Sequence, residues 1–306
     1  MTDTNLLEGK VIVVTGAGGG IGAEIAKLAA AKGAQVIVND IGGAVDGSGD
    51  DSGPADTIVR EIEAAGGKAI ASYDSVATWD GAHAIIQTAI DSFGRIDGVV
   101  NNAGVLRDRM FHNLTQDDWE IVQSVNLSGC FFVARAAAPH FKAQSSGAFV
   151  HMTSTSGILG NLGQANYGAA KMGLAGLSKC IALDMERFAV RSNCIAPAAF
   201  TRMVGSMAAS TEANRAVLER VKNMTPNKIA PLAVCLLSDA ANDVTGQVFG
   251  VRNDEILLYS QPRPLRTIHN ANGWTAESCI ERVLPGLRSS FVPLEKASDI
   301  LAWAPL

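Results

Sequence analysis

Short apolar runs alternate along most of the chain with segments whose apolar residues recur at helical spacing. Ile25, Leu28 and Ala29 show that spacing, which places them on one buried face of a helix. The runs predict strands at residues 11–15, 35–40, 68–72, 98–100, 147–152 and 191–196. The segments between them predict helices at residues 23–32, 55–65, 79–93, 117–142 and 166–188. Because the strands are apolar at consecutive positions, we expect an α/β fold, a doubly wound parallel sheet covered by helices on both faces.

Two stretches interrupt this alternation. Residues 42–53 (GGAVDGSGDDSG) are rich in Gly, Asp and Ser, which predicts a mobile insertion between the second strand and its helix. After about Val251 the alternation fades and prolines become frequent. We therefore predict a single domain over residues 1–250, with residues 251–306 as a C-terminal extension packed on its core.

The composition excludes several classes of protein. Of the 306 residues, 47% are hydrophobic and 18% are charged, which is enough apolar material for a large core. The formal net charge of −5 leaves no basic surplus for nucleic acid. The five cysteines include no CxxC pair, so neither a disulfide framework nor a metal site is expected. The start, MTDTNLLEGK, has no apolar run of a signal peptide, and we predict a cytoplasmic protein that spans no membrane.

The first chemical motif is TGAGGGIG at residues 15–22, between a predicted strand and a predicted helix. Gly16, Gly20 and Gly22 allow a tight turn and a close approach of the backbone to a ligand. The helix that starts around Ile21 would offer unpaired N–H groups and a positive dipole end to a pyrophosphate. The motif predicts a dinucleotide site, and the alternative is a tight turn that binds nothing.

Asp40 ends the second predicted strand. In a dinucleotide-binding fold, an acidic side chain at this place hydrogen-bonds the ribose hydroxyls of the adenosine. Its charge would repel the 2′-phosphate of NADP, and residues 39–53 contain no Arg or Lys to bind that phosphate. We therefore predict NAD as the cofactor, with a solvated turn residue as the other interpretation of Asp40.

A second motif, Tyr167-Gly-Ala-Ala-Lys171, places a phenol and an ammonium on one face of a helix. A cation beside a phenol favours its ionised form, which suits a general acid and base. Ser154 follows the strand at residues 147–152, at the end of a sheet where ligands bind. Asn126 lies inside a long predicted helix, where a polar side chain needs a partner. Each of these residues also has an ordinary structural interpretation, but together they predict a catalytic site.

With TGxxxGxG, Asn101-Asn102-Ala103-Gly104, Asn126, Ser154 and Tyr167-x-x-x-Lys171 in this order, the chain resembles the short-chain dehydrogenase/reductases over roughly residues 7–250. The resemblance implies a Rossmann-type domain that holds cofactor and substrate together. It also implies that Tyr167 exchanges the proton, Ser154 positions the reacting oxygen, Lys171 binds the nicotinamide ribose, and Asn126 holds a water of a proton relay.

A closer likeness is visible in NDIGG, GGKAIASYDSV and GRIDGVVNNAGVLRDRMF. These stretches are similar to the (3R)-hydroxyacyl-CoA dehydrogenase domain of peroxisomal multifunctional enzymes of type two and to bacterial 17β-hydroxysteroid dehydrogenases. By this resemblance Asp74 and Ser75 line the adenine pocket, and Asn102, Ala103 and Gly104 hold the nearby backbone.

Two departures from the family pattern concern the nicotinamide side of the site. The usual Pro-Gly after the sixth strand reads Pro197-Ala198, and Thr201 comes one position earlier than the usual threonine. The C-terminal Ala-Pro-Leu also differs from a peroxisomal targeting signal, which agrees with the predicted cytoplasmic location.

The expected reaction is hydride transfer between NAD and a secondary alcohol, with (3R)-3-hydroxyacyl-CoA as the favoured substrate. A 17β-hydroxysteroid or similar bulky apolar alcohol is the alternative, and a non-catalytic dinucleotide sensor is an alternative of another class. Residues 200–222 occupy the place of a substrate lid, where Met203 and Met207 suit either an apolar ligand or core packing. Arg107, Arg109 and Arg202 could meet a CoA phosphate or be ordinary surface residues.

The two longest predicted helices carry more small and apolar residues than one buried face requires. This excess, and the resemblance, predict a homodimer or homotetramer. The other expected partner is a small-molecule substrate, either an acyl-CoA or a steroid-like alcohol.

Overall fold

The six predicted apolar runs form six strands of one eight-stranded sheet in the computed structural model, which describes residues 5–49, 51–199 and 223–303. The strands are β1 Val11–Thr15, β2 Gln35–Asn39, β3 Lys68–Ser72, β4 Gly98–Asn101, β5 Gly147–Met152, β6 Val190–Ala198, β7 Val248–Arg252 and β8 Glu255–Leu258. Their order across the sheet is β3-β2-β1-β4-β5-β6-β7-β8. Strands β1 to β7 pair in parallel, and β8 pairs antiparallel with β7.

Helices connect the strands and cover the sheet. They are α1 Gly20–Ala31, α2 Gly53–Ala64, α3 Trp79–Phe93, α4 Gln116–Gln123, α5 Cys130–Gln144, α6 Thr155–Ile158, α7 Ala165–Met185, α8 Ala230–Leu237, α9 Ala276–Ser278, α10 Leu284–Arg288 and α11 Ala297–Ile300. A π-helical segment, Ser124–Gly129, joins α4 to α5 without a break.

Two hydrophobic cores lie on opposite faces of the sheet. Neighbouring residues of a strand point to opposite faces, so Val14 packs in one core and Val13 in the other. The first core contains Ile25 of α1, and the second contains Ile85 of α3 and Phe141 of α5. The predicted doubly wound α/β sheet is therefore confirmed.

The helix predicted at residues 117–142 runs from Gln116 to Gln144 and contains the π-helical segment. Thr115 caps it, because its hydroxyl accepts the N–H of Asp118 while the Asp118 carboxylate accepts the N–H of Thr115. The helix is long and apolar enough to cross a membrane by length and composition alone, because an 18-residue window within it has a mean hydropathy of 1.3. Core helices meet the same criterion, and Phe141 of this helix is fully buried against the sheet.

The Gly- and Asp-rich insertion, predicted to be mobile, is anchored at its base and at its tip. The N–H of Asp51 donates to the carbonyl of Ile41 at 2.8 Å, which closes the base. At the tip, the N–H of Leu106 donates to the carbonyl of Val45 at 3.0 Å, and Arg107 Nε donates to the carbonyl of Asp46 at 2.7 Å. Composition indicated flexibility, but these contacts join the insertion to the segment that follows β4.

The sequence pattern missed β7 and β8. Strand β8, Glu-Ile-Leu-Leu, is an edge strand whose residues alternate between half-buried and exposed positions. The chain beyond it returns to the domain at Ala297, whose N–H donates to the carbonyl of Gly160 at 3.0 Å. Trp303 Nε1 donates to the Glu255 carboxylate at 2.8 Å. Strand β7 spans residue 250, and the division of the chain at that residue stays a prediction.

Phe141 offers a test of this packing. Its ring is fully buried and touches Gly147 so closely that a Cβ there would lie 2.3 Å from the ring. We expect Phe141→Ala to lower the free energy of unfolding by about 3–5 kcal/mol, because it leaves a cavity in the second core. Phe111→Ala is the matched control, since Phe111 is 79% exposed. Denaturant titration of both variants measures the difference, and equal losses would contradict the assignment of Phe141 to the core.

Candidate active site

One cavity of about 590 Å³ opens at the carboxyl ends of the parallel strands. Strands β1 and β4 are neighbours there although their connections run to opposite sides, and such a switch point is where α/β sheets bind ligands. Of the residues predicted for the site, those that line the cavity are Gly16, Gly20, Ile21, Asp40, Asp74, Ser75, Asn102, Ala103, Gly104, Asn126, Ser154, Tyr167, Lys171 and Pro197. Gly22 does not line it and lies directly behind the turn.

The glycine-rich turn leaves no room for side chains. Gly16 has φ +63°, and a Cβ on it would lie 2.8 Å from the Cα of Ala103. A Cβ on Gly22 would lie 2.3 Å from the carbonyl oxygen of Gly16 and 2.6 Å from Asn102 Nδ2. The two glycines therefore allow α1, the turn and the β4 loop to pack against one another.

The N-terminus of α1 fits a phosphate group. Its N-cap is Gly19, which provides no side-chain cap, and its first turn contains no acidic residue. Unpaired N–H groups and the positive end of the helix dipole at Gly20 and Ile21 therefore face the cavity. A dinucleotide would place its pyrophosphate against this helix end.

Thr15 and Asn102 join the ends of β1 and β4. The Thr15 hydroxyl accepts the N–H groups of Asn102 and Ala103, each at 3.1 Å. Asn102 Nδ2 donates back to the carbonyls of Thr15 and Gly16 at 3.0 and 2.9 Å. These bonds hold the predicted Asn-Ala-Gly backbone beside the glycine-rich turn.

Asp40 stands at the end of β2 with its carboxylate directed to backbone donors. One oxygen accepts the N–H of Gly18 at 2.8 Å, and the other accepts the N–H of Gly42 at 2.7 Å. Among the described residues that line the cavity, Lys171 is the only Lys or Arg. The cavity wall at the end of β2 thus carries the Asp40 carboxylate, and the described residues place no Lys or Arg beside it in the lining.

Tyr167 and Lys171 lie on the first turns of α7, as the i, i+4 spacing predicted. The Lys171 side chain is buried, and its Nζ donates to the carbonyl of Met152 at 2.8 Å. The same ammonium lies 5.6 Å from the centre of the Tyr167 ring. The last residue of β5 therefore fixes the cation next to the phenol.

Ser154 is the N-cap of α6, and its hydroxyl oxygen accepts the N–H of Ser156 at 3.1 Å. That bond uses a lone pair of the hydroxyl and leaves its proton for a ligand in the cavity. This N-cap bond fixes the position of the Ser154 hydroxyl. In the sequence, spacing alone had distinguished Ser154 from the neighbouring hydroxyl residues.

Asn126 lies within the π-helical segment and is fully buried. Its Nδ2 donates to the carbonyls of Val105 and Val122 at 2.9 and 3.0 Å. Its Oδ1 has no hydrogen-bond partner among the described residues. A Cβ on Gly104 would lie 2.5 Å from this oxygen and 3.8 Å from Lys171 Nζ, so the free acceptor and the ammonium flank the same glycine.

Behind the cavity, sequence reasoning missed a buried histidine. His151 on β5 contacts Asn101 Nδ2 through Nδ1 at 3.1 Å and Ser192 Oγ through Nε2 at 3.2 Å. Since an amide nitrogen only donates, Nδ1 accepts and Nε2 carries the proton. Burial and the Lys171 charge lower the pKa of His151 to about 3. His151 is therefore neutral near pH 7, and a lone histidine in an apolar strand was the one signal for it.

Two of the three arginines singled out from the sequence, Arg107 and Arg109, are described by the structure and make their contacts away from the cavity. Arg109 pairs with the buried Asp118 at 2.7 Å, and Arg107 holds the insertion. Neither lines the cavity. Arg202, Met203, Met207 and Thr201, with the predicted lid at residues 200–222, lie outside the described residues. Sequence reasoning also missed Asp108 and Gln164, which do line the cavity and come together from positions far apart in the chain.

Several known proteins share this sequence pattern. The short chain dehydrogenase family matches residues 10–212. A short-chain type dehydrogenase/reductase of Mycobacterium tuberculosis is 48% identical over 237 residues, or 78% of this chain and 80% of that protein. The peroxisomal multifunctional enzyme type 2 of Mus musculus is 44% identical over 239 residues, or 78% of this chain and 31% of that enzyme. A hydroxyacyl-CoA dehydrogenase of M. tuberculosis is 36% identical over 276 residues, or 85% of this chain and 83% of that protein.

Solved structures share the fold as well. A short chain dehydrogenase from Mycobacterium avium has a TM-score of 0.82 and 38% identity, over 94% of this chain and 97% of that one. A 7α-hydroxysteroid dehydrogenase, in complex with NADH and 7-oxo glycochenodeoxycholic acid, has a TM-score of 0.74 and 29% identity, over 85% and 99%.

The chain belongs to the short-chain dehydrogenase family, as the sequence predicted. It is an oxidoreductase of that family acting on hydroxyl groups. This chain spans less than a third of the mouse multifunctional enzyme, and activities of that whole enzyme do not transfer to it by similarity alone.

Gly22 provides a test of whether the glycine-rich turn at residues 15–22 binds the cofactor. We expect Gly22→Ala to weaken NAD binding at least about tenfold, because its Cβ would push the turn away from Asn102. Gly176→Ala is the control, since nothing lies within 4 Å of a Cβ at Gly176. Calorimetric NAD titrations and melting curves of both folded variants measure the effect. Unchanged affinity in Gly22→Ala would contradict the assignment of this turn to the cofactor.

Proposed function

We propose that the protein is an NAD-dependent dehydrogenase that interconverts a secondary alcohol and its ketone. The observation that carries this proposal is the shared cavity, which Ser154, Tyr167 and Lys171 line together with Gly20 and Ile21 at the N-terminus of α1. Ser154, Tyr167 and Lys171 are proposed to carry out the proton transfer, and the N-terminus of α1 is proposed to bind the dinucleotide.

In the proposed reaction, Ser154 donates a hydrogen bond to the alcohol oxygen and holds it in position. Tyr167 accepts the alcohol proton as the carbon–oxygen bond becomes a carbonyl. When bound, NAD supplies the hydride acceptor, so the carbinol carbon loses a hydride and the alcohol is oxidised by two electrons. The Lys171 ammonium lies 5.6 Å from the centre of the Tyr167 ring, and its fixed position needs no rearrangement during the reaction.

Asn126 is proposed to hold a water that passes protons between Lys171 and the solvent. Its free, buried Oδ1 supports this role, because an acceptor at that depth gains from a hydrogen-bond donor. Its two bonds to backbone carbonyls keep the amide from turning its nitrogen toward Gly104. Because His151 is neutral near pH 7, it adds no positive charge to that of Lys171 near this path.

The preference for NAD over NADP rests on Asp40. Its carboxylate lies at the cavity wall, at the end of β2, and would meet the 2′-phosphate of NADP as a like charge. The described lining includes no arginine to bind that phosphate. The same feature weighs against a 3-oxoacyl carrier-protein reductase that uses NADPH.

For the substrate, we propose a (3R)-3-hydroxyacyl-CoA. The relative that is a hydroxyacyl-CoA dehydrogenase matches this chain along most of both lengths, which supports that class. The structural neighbour that is a hydroxysteroid dehydrogenase keeps a steroid-like alcohol as the second candidate. The ion pair of Arg109 with Asp118 removes one candidate ligand for a CoA phosphate.

We also propose a homodimer or homotetramer in the cytoplasm. Large apolar side chains remain exposed on helices α4, α5 and α7, where a second copy could cover them; they are Trp119, Phe131, Met172 and Leu183.

A substrate panel tests the function. We expect the absorbance of reduced nicotinamide to appear with NAD and (3R)-3-hydroxybutyryl-CoA, and far more slowly with NADP, because Asp40 repels its phosphate. The panel includes the (3S) isomer, a 17β-hydroxysteroid and 2-butanol. Turnover of the steroid alone would move the assignment to the second candidate. NAD binding without turnover of any alcohol would favour the non-catalytic sensor.

The proton-transfer role has its own test. We expect Tyr167→Phe to lower kcat by about 10²–10⁴-fold, because the ring remains while the proton acceptor is lost. The Kd for NAD should stay within about threefold of wild type. Phe111→Tyr, a hydroxyl change at an exposed position, is the control. Steady-state kinetics and NAD titration supply both values, and a Phe variant of near-normal turnover would rule out Tyr167 as the proton acceptor.

A further inference from the structure

A row of hydrogen-bonded side chains borders the cavity beside Ser154 and Tyr167, and the proposed reaction does not use it. Gln164 Nε2 donates to Asp108 Oδ2 at 2.8 Å. Ser156 Oγ donates to Gln164 Oε1 at 2.7 Å, and Asn161 Nδ2 donates to the same oxygen at 3.2 Å. All four residues line the cavity. Gln164 precedes Tyr167 by one helical turn, so the row adjoins the proton acceptor.

These hydrogen bonds leave one N–H of the Gln164 side-chain amide without an acceptor among the described residues. A carboxylate only accepts hydrogen bonds, so Asp108 turns the amide nitrogen of Gln164 toward itself. Both lone pairs of the amide oxygen are then taken by Ser156 and Asn161. The described residues provide one acceptor for the amide nitrogen, and its second N–H remains for a ligand. Gln164 thus presents a donor to the cavity and no acceptor.

Backbone contacts hold the row in place. The N–H of Arg109 donates to the carbonyl of Gly163 at 2.8 Å, which joins the chain beside Asp108 to the chain beside Gln164. The fully buried Asn166 donates from Nδ2 to the carbonyl of Arg107 at 3.0 Å. The start of α7 and the segment after β4 therefore keep a fixed separation, and the subsite is formed before a ligand arrives.

The charge of Asp108 lacks a balancing arginine on the cavity side. Arg109 is occupied by Asp118, and Arg107 reaches the insertion. The other charged residues of the described lining are Asp40, Asp74 and the buried Lys171, which binds the Met152 carbonyl. A second anion placed beside Gln164 would meet Asp108 as a like charge.

We propose that Gln164 and Asp108 form a subsite that binds the neutral carbonyl oxygen of a thioester and excludes a free carboxylate at the same place. Gln164 donates to that oxygen, and Asp108 both orients the amide and repels an anion. The substrate is then a β-hydroxy thioester and not the β-hydroxy acid. This inference rests on the proposed dehydrogenase function.

The test compares two substrates that differ in this group alone. They are the N-acetylcysteamine thioester of (3R)-3-hydroxybutyrate, which is neutral and lacks the CoA phosphates, and free (3R)-3-hydroxybutyrate. We expect wild type to prefer the thioester by at least about 100-fold in kcat/KM. Asp108→Asn keeps an oxygen that can accept from Gln164 but loses the charge. This variant should lower the ratio of kcat/KM for the thioester to kcat/KM for the free acid at least about tenfold, chiefly because the KM for the free acid falls.

Two more variants complete the design. Gln164→Leu should lower kcat/KM for the thioester about tenfold, chiefly by raising KM, because the donor to its carbonyl oxygen is lost. Asp117→Asn makes the same charge change at an exposed residue outside the cavity lining, and it should leave the ratio unchanged.

The outcomes separate the two proposals. Equal use of acid and thioester by wild type, or an unchanged ratio in Asp108→Asn, would overturn the subsite and leave the dehydrogenase function standing. An equal effect of Asp117→Asn would also overturn it, because the charge would then act from anywhere on the surface. Absence of turnover with every alcohol in wild type would overturn the dehydrogenase function and the subsite with it.

Discussion

The hydrogen bonds between Thr15 and Asn102 are the constraint on which the rest of the site depends. They join the ends of β1 and β4, where the chain leaves two neighbouring strands in opposite directions and opens a crevice. Gly16 and Gly22 let the two loops approach until a Cβ would collide with them. The N-terminus of α1 and the Asn-Ala-Gly backbone are positioned by this one junction, so the part of the site proposed for the cofactor is formed before binding.

The part of the site proposed for catalysis depends on a second junction, between β5 and α7. Lys171 binds the carbonyl of Met152, and the Thr153 hydroxyl binds the carbonyl of Lys171 at 2.6 Å. A buried ammonium is costly unless it is hydrogen-bonded, and the Met152 carbonyl offsets part of that cost. The Thr153 bond joins the segment after β5 to the backbone of α7. Since β5 is two places from β1 in the sheet, both junctions open into the same cavity.

Much of the fold and of the predicted site follows from local pattern. Strands β1, β3 and β5 and helix α3 have the bounds that apolar runs and helical spacing predicted. The glycine-rich turn and the Tyr167–Lys171 spacing are also local, because each needs a few consecutive residues in one conformation. Edge strand β8 was missed since it has little buried surface, and the π-helical segment at Asn126 was missed since its sequence reads as ordinary helix.

By itself, then, the sequence determined the doubly wound sheet, the glycine-rich turn and the candidate catalytic residues, because periodicity and short motifs act over a few residues. The tertiary structure alone decided the contacts between distant segments. It brought Asp108 to Gln164, 56 positions away, and docked the insertion on Arg107, 61 positions from Asp46. It also used Arg109 to neutralise Asp118. Such pairings depend on how strands and helices pack, and the position of a charged residue in the sequence does not show which residue it will contact.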